Sequence, residues 1–306
     1  MSDTKKHILA TIAYFDLFHY PLTIDEIYLY LPAKCNAEEF DYSLRCLVID
    51  RLIYHIGKFY TLKNDYFLIE RRIKGNAKAE KMIGTAKKVS NLLIRFPFVQ
   101  GIAISGSLSK NFADDDSDID LFIITAKNRL WIARTLMHCF KKLTFLVNRQ
   151  HYFCMNYYID EQELQIQEKN IYTAIEIATL IPLHGDTTFE QFYASNVWTR
   201  GFLPHKCMRL TTARSLKRSW LKKLIEMLFN NRAGNAIDTI LMNITAKRWD
   251  KKQQEKKLNM KGIIMGMDTG KHYAKPDPKN FQDKLILKYQ AKLSQLLEHW
   301  ESSAVN

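Results

Sequence analysis

The fold is decided by two neighbouring stretches, Gly101-Ile-Ala-Ile-Ser-Gly-Ser-Leu108 and Asp116-Ser-Asp-Ile-Asp-Leu-Phe-Ile-Ile124. Residues 98–104 form an apolar run broken only by Gln100, as expected of a buried strand. A short turn or helix follows from Ser107. Residues 118–125 read as a second strand that opens with polar and apolar residues in alternation. Asp118 and Asp120, two apart on a strand, project from one face and lie ~7 Å apart along it. Two like charges so placed repel unless a cation sits between them. Mg²⁺ fits, because it takes hard oxygen ligands and completes its shell with water and phosphate oxygens. In Ser105-Gly106-Ser107, glycine lets backbone amides approach a phosphate and the serine hydroxyls add donors. A phosphate cradle beside a carboxylate pair is the equipment of metal-assisted phosphoryl transfer.

Outward from this centre, residues 130–147 read as an amphipathic helix and residues 152–159 as a third strand. The alternation of strands and helices over 98–160 predicts an α/β (α+β) sheet layer. Upstream, residues 66–96 are polar and helix-forming, with a break expected near Gly75. In residues 1–63, Thr23 and Glu26 have the spacing of a capping box, with Leu22 and Ile27 as its staple. Asn36 and Glu39 repeat the cap signal. Two short strands are expected on either side of Gly57. Three helices and a hairpin resemble a winged helix-turn-helix domain. Its third helix, however, opens with Glu38, Glu39 and Asp41 and has only Arg45 further along, a poor surface for phosphates. Downstream, helices are expected over 172–180, 215–229, 236–248 and 283–297. Residues 262–278, with three glycines and two prolines, are expected to be a loop. The resulting division is 1–63, a winged helix-like unit; 64–97, a helical connector; 98–200, the core; and 201–306, a basic helical region.

Gly-Ser, ten intervening residues and Asp-Ile-Asp in an apolar strand together resemble the DNA polymerase β-like nucleotidyltransferase superfamily. The resemblance covers roughly residues 98–160. It implies that Gly106 and Ser107, with Ser105 beside them, hold the triphosphate of an NTP. It also implies that Asp118 and Asp120 bind Mg²⁺, with a two-ion site possible. Lys110 and Arg129 are further candidates for nucleotide contact. Such enzymes usually carry a third carboxylate on the next strand of the sheet. Here the centre of that strand holds Asn156, whose carbonyl oxygen can ligate a metal but cannot usefully accept a proton. Asp160 has the same parity ~13 Å further on. Either Asp160 or Glu163 takes the role, or catalysis is weak, or the site binds nucleotide without turnover.

The bulk properties narrow the partners. The chain has 306 residues and a net charge of +13, and residues 201–306 carry 21 Lys and Arg against 9 Asp and Glu. That excess suits a polyanion such as nucleic acid, or solvated lysine-rich helices. As acceptor, nucleic acid, a phosphorylated molecule and a protein side chain all stay open. No apolar run reaches the ~20 residues that span a bilayer, so no membrane partner is expected. Five widely spaced cysteines without a C-x-x-C pair suggest buried free thiols and a cytoplasmic setting.

Overall fold

The structure is a computed structural model, and it describes residues 2–144, 154–209, 213–216, 220–258, 266–276 and 281–305. The first elements are α1 (Asp3–Asp16), β1 (Leu22–Thr23), α2 (Ile24–Leu29), α3 (Ala37–Ile49), β2 (Tyr54–Ile56) and β3 (Phe59–Thr61). The helix starts are set locally. Thr23 and Glu26 form the reciprocal capping box, and the Asn36 side chain accepts from the Glu39 amide. The three strands pair antiparallel in the order β1-β3-β2.

The next element, α4 (Tyr66–Leu93), runs unbroken through Gly75, contrary to the expected interruption. At Gly75 an added Cβ would lie 2.3 Å from Cε2 of Phe112. The glycine lets that ring lie directly on the helix, and the Gly75 carbonyl accepts from the Ala113 amide. Packing and not chain reversal is the reason for this glycine.

The central elements are β4 (Val99–Ile104), α5 (Gly106–Ser109), β5 (Asp120–Thr125), α6 (Leu130–Thr144), β6 (Cys154–Asp160), α7 (Ile171–Thr179), β7 (Ile181–His184) and α8 (Asp186–Ser195). They are followed by α9 (Trp220–Phe229), α10 (Arg232–Gln254), β8 (Met267–Thr269), β9 (Tyr273–Pro276) and α11 (Phe281–Val305). Six strands form one mixed sheet in the order β7-β4-β5-β6-β9-β8. The β5–β6 pair is parallel, with α6 as its crossover, and the other pairs are antiparallel. Alternate residues of β4 and β5 face opposite layers. Ile102, Ile104, Leu121 and Ile123 pack with α4 and α6 around the fully buried Trp131. Ala103, Phe122 and Ile124 pack with α7 and α8 around Phe189 and Phe192.

Three strands depart from the sequence expectation. β7 lies at a sheet edge, the place in a sheet where a proline such as Pro182 is tolerated. The stretch expected as a loop over 262–278 contains the β8–β9 hairpin. Trp131 Nε1 donates to the carbonyl of Gly270 in its turn, and β9 pairs with β6. The sheet therefore crosses the expected boundary at residue 200. The N-terminal unit is likewise joined to the centre, since one apolar cluster contains Ile12, Phe15 and Leu44 together with Phe112, Ala174 and Ala178. None of the five cysteines is in a disulfide, and none is fully buried, contrary to expectation; Cys139 and Cys207 are exposed.

Candidate functional site

The chain leaves β4 at Ser105, whose amide donates to the Asp120 carbonyl at 3.0 Å. This bond holds the turn in register with the start of β5. The next residue, Gly106, has φ +67, a left-handed conformation that costs an L side chain ~1–2 kcal/mol. A Cβ there would also lie 2.8 Å from Asp120 Oδ2 and 3.4 Å from Asp120 Cβ. The Asp120 carboxylate therefore rests directly on the glycine backbone. The turn is tied further by Ser109 Oγ and Lys110 Nζ, which donate to the Gly106 carbonyl at 2.8 and 3.1 Å. Ser107 is exposed at its tip.

Asp118 lies just before β5, which begins at Asp120 and not at 118 as expected. Both aspartates are half-buried, while Ile119 between them is fully buried in the core. The preceding acidic loop is held by α4: Asp114 pairs with Arg71 at 2.6 Å and Asp115 with Lys78 at 2.8 Å. The cation beside Asp115 holds its carboxyl below the usual range. These exposed acids belong to a surface loop.

The remaining sequence candidates separate into two groups. Lys110 lies beside the turn, where its Nζ also donates to Glu176 Oε1 at 2.7 Å. Asp160 and Arg129 lie elsewhere. In the parallel register, Asp120 is opposite Cys154, whereas Asp160 is opposite Thr125 at the far end of β5. Five residues of strand place it ~17 Å away. The Asp160 carboxylate is fully buried and accepts from the Asn128 and Gln162 amides, both at 2.9 Å, and faces His272 Nδ1 at 2.9 Å. Its surroundings are those of a structural cap, so the expectation that it completes a catalytic set is corrected. Glu163 follows at the same end and is exposed. Arg129 is buried there too, donating to Asn235 at 2.5 Å and to the carbonyls of Asn128 and Asn231 at 2.6 and 3.2 Å. It braces α6 against α10 and does not reach the Gly106 turn. Asn156 falls within β6, but its side chain lies outside the described residues.

The tertiary structure adds two residues that sequence reasoning missed, Tyr172 and Glu176 of α7. Both line the cavities on either side of Gly106. Burial pushes the Tyr172 phenol well above its usual range, and the carboxylates of Glu176 and Asp120 push it further. Their i, i+4 spacing puts both on one helix face, but nothing local says which face meets the Gly106 turn. Lys275 of β9 lines the outer cavity, paired with Glu168 and, at 3.3 Å, with Asp268.

Among the described residues, no group of three or more His, Cys, Asp or Glu side chains converges as a metal site. Asp118 and Asp120, close in sequence beside the Gly106 turn, nevertheless have the chemistry to hold Mg²⁺, which is commonly held by one or two carboxylates plus substrate phosphates. Among the described residues, no helix is long and apolar enough to cross a membrane.

Residues 86–181, from the last turns of α4 to the start of β7, match the family model described as the nucleotidyltransferase domain. No curated protein and no solved structure matches the chain.

Proposed function

We propose that this chain, a transferase carrying a nucleotidyltransferase domain over residues 86–181, moves a nucleoside monophosphate from an NTP to an acceptor with the help of Mg²⁺. One observation carries the reading: the Asp120 carboxylate rests on the backbone of Gly106, so the phosphate turn and the acidic pair form one cradle. In this reading the amides of the Gly106 turn and the Ser107 hydroxyl bind the phosphates. Asp118 and Asp120 hold Mg²⁺, which when bound neutralises charge on the phosphate oxygens. An acceptor oxygen attacks the α-phosphorus; the bond to the β-phosphate oxygen breaks and pyrophosphate leaves with that electron pair. The proton of the acceptor passes to solvent. Catalysis of this kind rests mainly on positioning and charge stabilisation.

The basic excess of residues 201–306 is compatible with a nucleic-acid or phosphorylated acceptor, but part of it is used internally. Lys222 donates to the carbonyls of Ile94 and Val99, Lys275 pairs with Glu168, and Lys292 pairs with Asp16. A second reading, a nucleotide sensor with little turnover, is favoured by one observation: Asp160, the acid expected on the neighbouring strand, lies at the far end of the sheet from Asp120.

The test is Mg²⁺-dependent incorporation of label from the four α-labelled NTPs. Total RNA, DNA and cell extract serve as acceptors, beside the double variant Asp118→Ala/Asp120→Ala. Transfer by the wild type alone supports the enzyme, and the labelled species gives the acceptor class. Mg²⁺-dependent NTP binding without transfer, lost in the variant, supports the sensor. No binding by either protein overturns both readings.

A further inference from the structure

Two cavities meet at the Gly106 turn. They share Gly106, Tyr172 and Glu176, which stand between them. The inner cavity, of about 360 Å³, is walled by the N-terminal unit on one side and, on the other, by the transferase domain together with Phe281 at the start of α11. Phe15, Phe18 and Tyr20 come from α1 and the turn after it; Phe112, Tyr172 and Phe281 face them. The rings are braced in pairs: Tyr20 against Phe112 at 5.7 Å and Tyr172 against Phe281 at 5.8 Å, both edge to face. The outer cavity, of about 230 Å³, has Asp120 at its edge, with Lys275 and Gln282 on its rim.

We propose that the inner cavity holds the nucleobase of the NTP, so that the N-terminal unit acts as the base-binding wall of the transferase. This inference rests on the nucleotidyl-transfer reading. Ser107, the exposed end of the phosphate turn, opens into the inner cavity and not the outer one. A triphosphate seated on that turn therefore has its nucleoside nearest the aromatic wall. Aromatic faces bind flat heterocycles by stacking, a sequence-tolerant interaction available to every base. The two cations lining the cavity are already paired, Arg71 with Asp114 and Lys110 with Glu176. The cavity accordingly suits the uncharged ring end of the ligand and not its phosphates. The volume accommodates one nucleoside, and the smaller cavity beside Asp120 falls to the acceptor group. The same placement explains why an N-terminal unit with an acidic third helix accompanies a nucleotide enzyme: it contributes aromatic surface to the nucleotide, not basic surface to DNA.

The experiment compares two probes, ATP and inorganic tripolyphosphate, each titrated calorimetrically with Mg²⁺ into the full chain. Phe18→Ala and Phe281→Ala remove rings at the mouth, where exposures of 38% and 42% leave the fold little dependent on them. Phe67→Ala, an exposed ring that does not line the cavity, is the control. The expected result is at least a five-fold loss of ATP affinity in both mouth variants, unchanged tripolyphosphate affinity, and no change in the control. ATP affinity unchanged in the mouth variants, or lowered equally for both probes, overturns the base assignment while leaving nucleotidyl transfer standing. Absence of Mg²⁺-dependent binding of any of the four NTPs to the wild type overturns the nucleotidyl reading, and the base assignment with it. Thermal melting of each variant confirms that folded proteins are compared.

Discussion

The carboxylate of Asp120 occupies the space where a side chain at position 106 would begin: a Cβ on Gly106 would meet Oδ2 at 2.8 Å. Two residues fourteen positions apart are thereby made into one surface. Gly106 takes a positive φ, and the Ser105 amide, bonded to the Asp120 carbonyl, fixes the height of the turn against β5.

Gly106→Ala should therefore impair the site more than the fold. The left-handed backbone costs alanine ~1–2 kcal/mol. The methyl group must also displace Asp120, and misplacement by ~1 Å can lower a rate by roughly 10²-fold. A modest fall in melting temperature with a loss of nucleotide incorporation of that order is expected. Wild-type incorporation in the folded variant would show that the turn does not hold the phosphates.

Asp160→Asn should have the opposite profile. The carboxylate is buried and receives two backbone amides beside His272, and hydrogen bonds to charged groups contribute ~1.5–3 kcal/mol. Urea unfolding should register a loss of about that size, while incorporation stays within a few-fold of wild type. A large loss of turnover at unchanged stability would return Asp160 to the catalytic set.

Gly75→Ala sets two effects against each other. Alanine favours a helix interior by ~1 kcal/mol over glycine. Its methyl group would lie 2.3 Å from the Phe112 ring, which is packed beneath the Arg71 guanidinium. Overpacking of a filled interior costs ~1–3 kcal/mol, so the net change is a destabilisation. Because Phe112 lines the inner cavity, nucleotide affinity should fall as well. Titration calorimetry and thermal melting on the same variant check both expectations.

The pH dependence should carry a signature of Asp238. This carboxylate of α10 accepts from the Ile132 amide in the first turn of α6 at 2.9 Å, and burial pushes its pKa up to about 6. A raised pKa means that the native state holds the proton more tightly than the unfolded chain. Stability contributed by the protonated form is lost as pH rises from about 4 through about 6. Relative to Asp238→Asn, which cannot titrate, the wild type should lose stability across that window and show a constant difference above it. Urea midpoints at pH 4, 5, 6 and 7 give the comparison. A difference that does not change with pH would show that Asp238 titrates alike in both states.

What could be read from the residues alone was local. The caps at Thr23 and Asn36 depend on atoms three residues apart, and both form as their spacing requires. The apolar strands around residues 101 and 122 and the helix after Leu130 follow from periodicity. The turn at Gly106 and the acids at 118 and 120 follow from chemistry that only a few residue types can supply. Where packing overrides local preference, the expectation failed. Gly75 reads as a break until Phe112 is placed on it, and the glycine-rich stretch near 270 reads as a loop until the free edge of β6 pairs with Tyr273 and Ala274.

The sequence by itself thus determined the glycine turn that follows one strand and the two aspartates at the entry to the next, because short spacing and local residue chemistry fix both. Only the tertiary structure decided what surrounds them. The parallel register of β5 and β6 carried Asp160 to the far end of the sheet, α7 brought Tyr172 and Glu176 to the turn, and α1 brought its aromatic face over the site. These contacts join residues distant in the chain, and the burial of apolar surface that selects them is non-directional. No local pattern could specify them before the layers were packed.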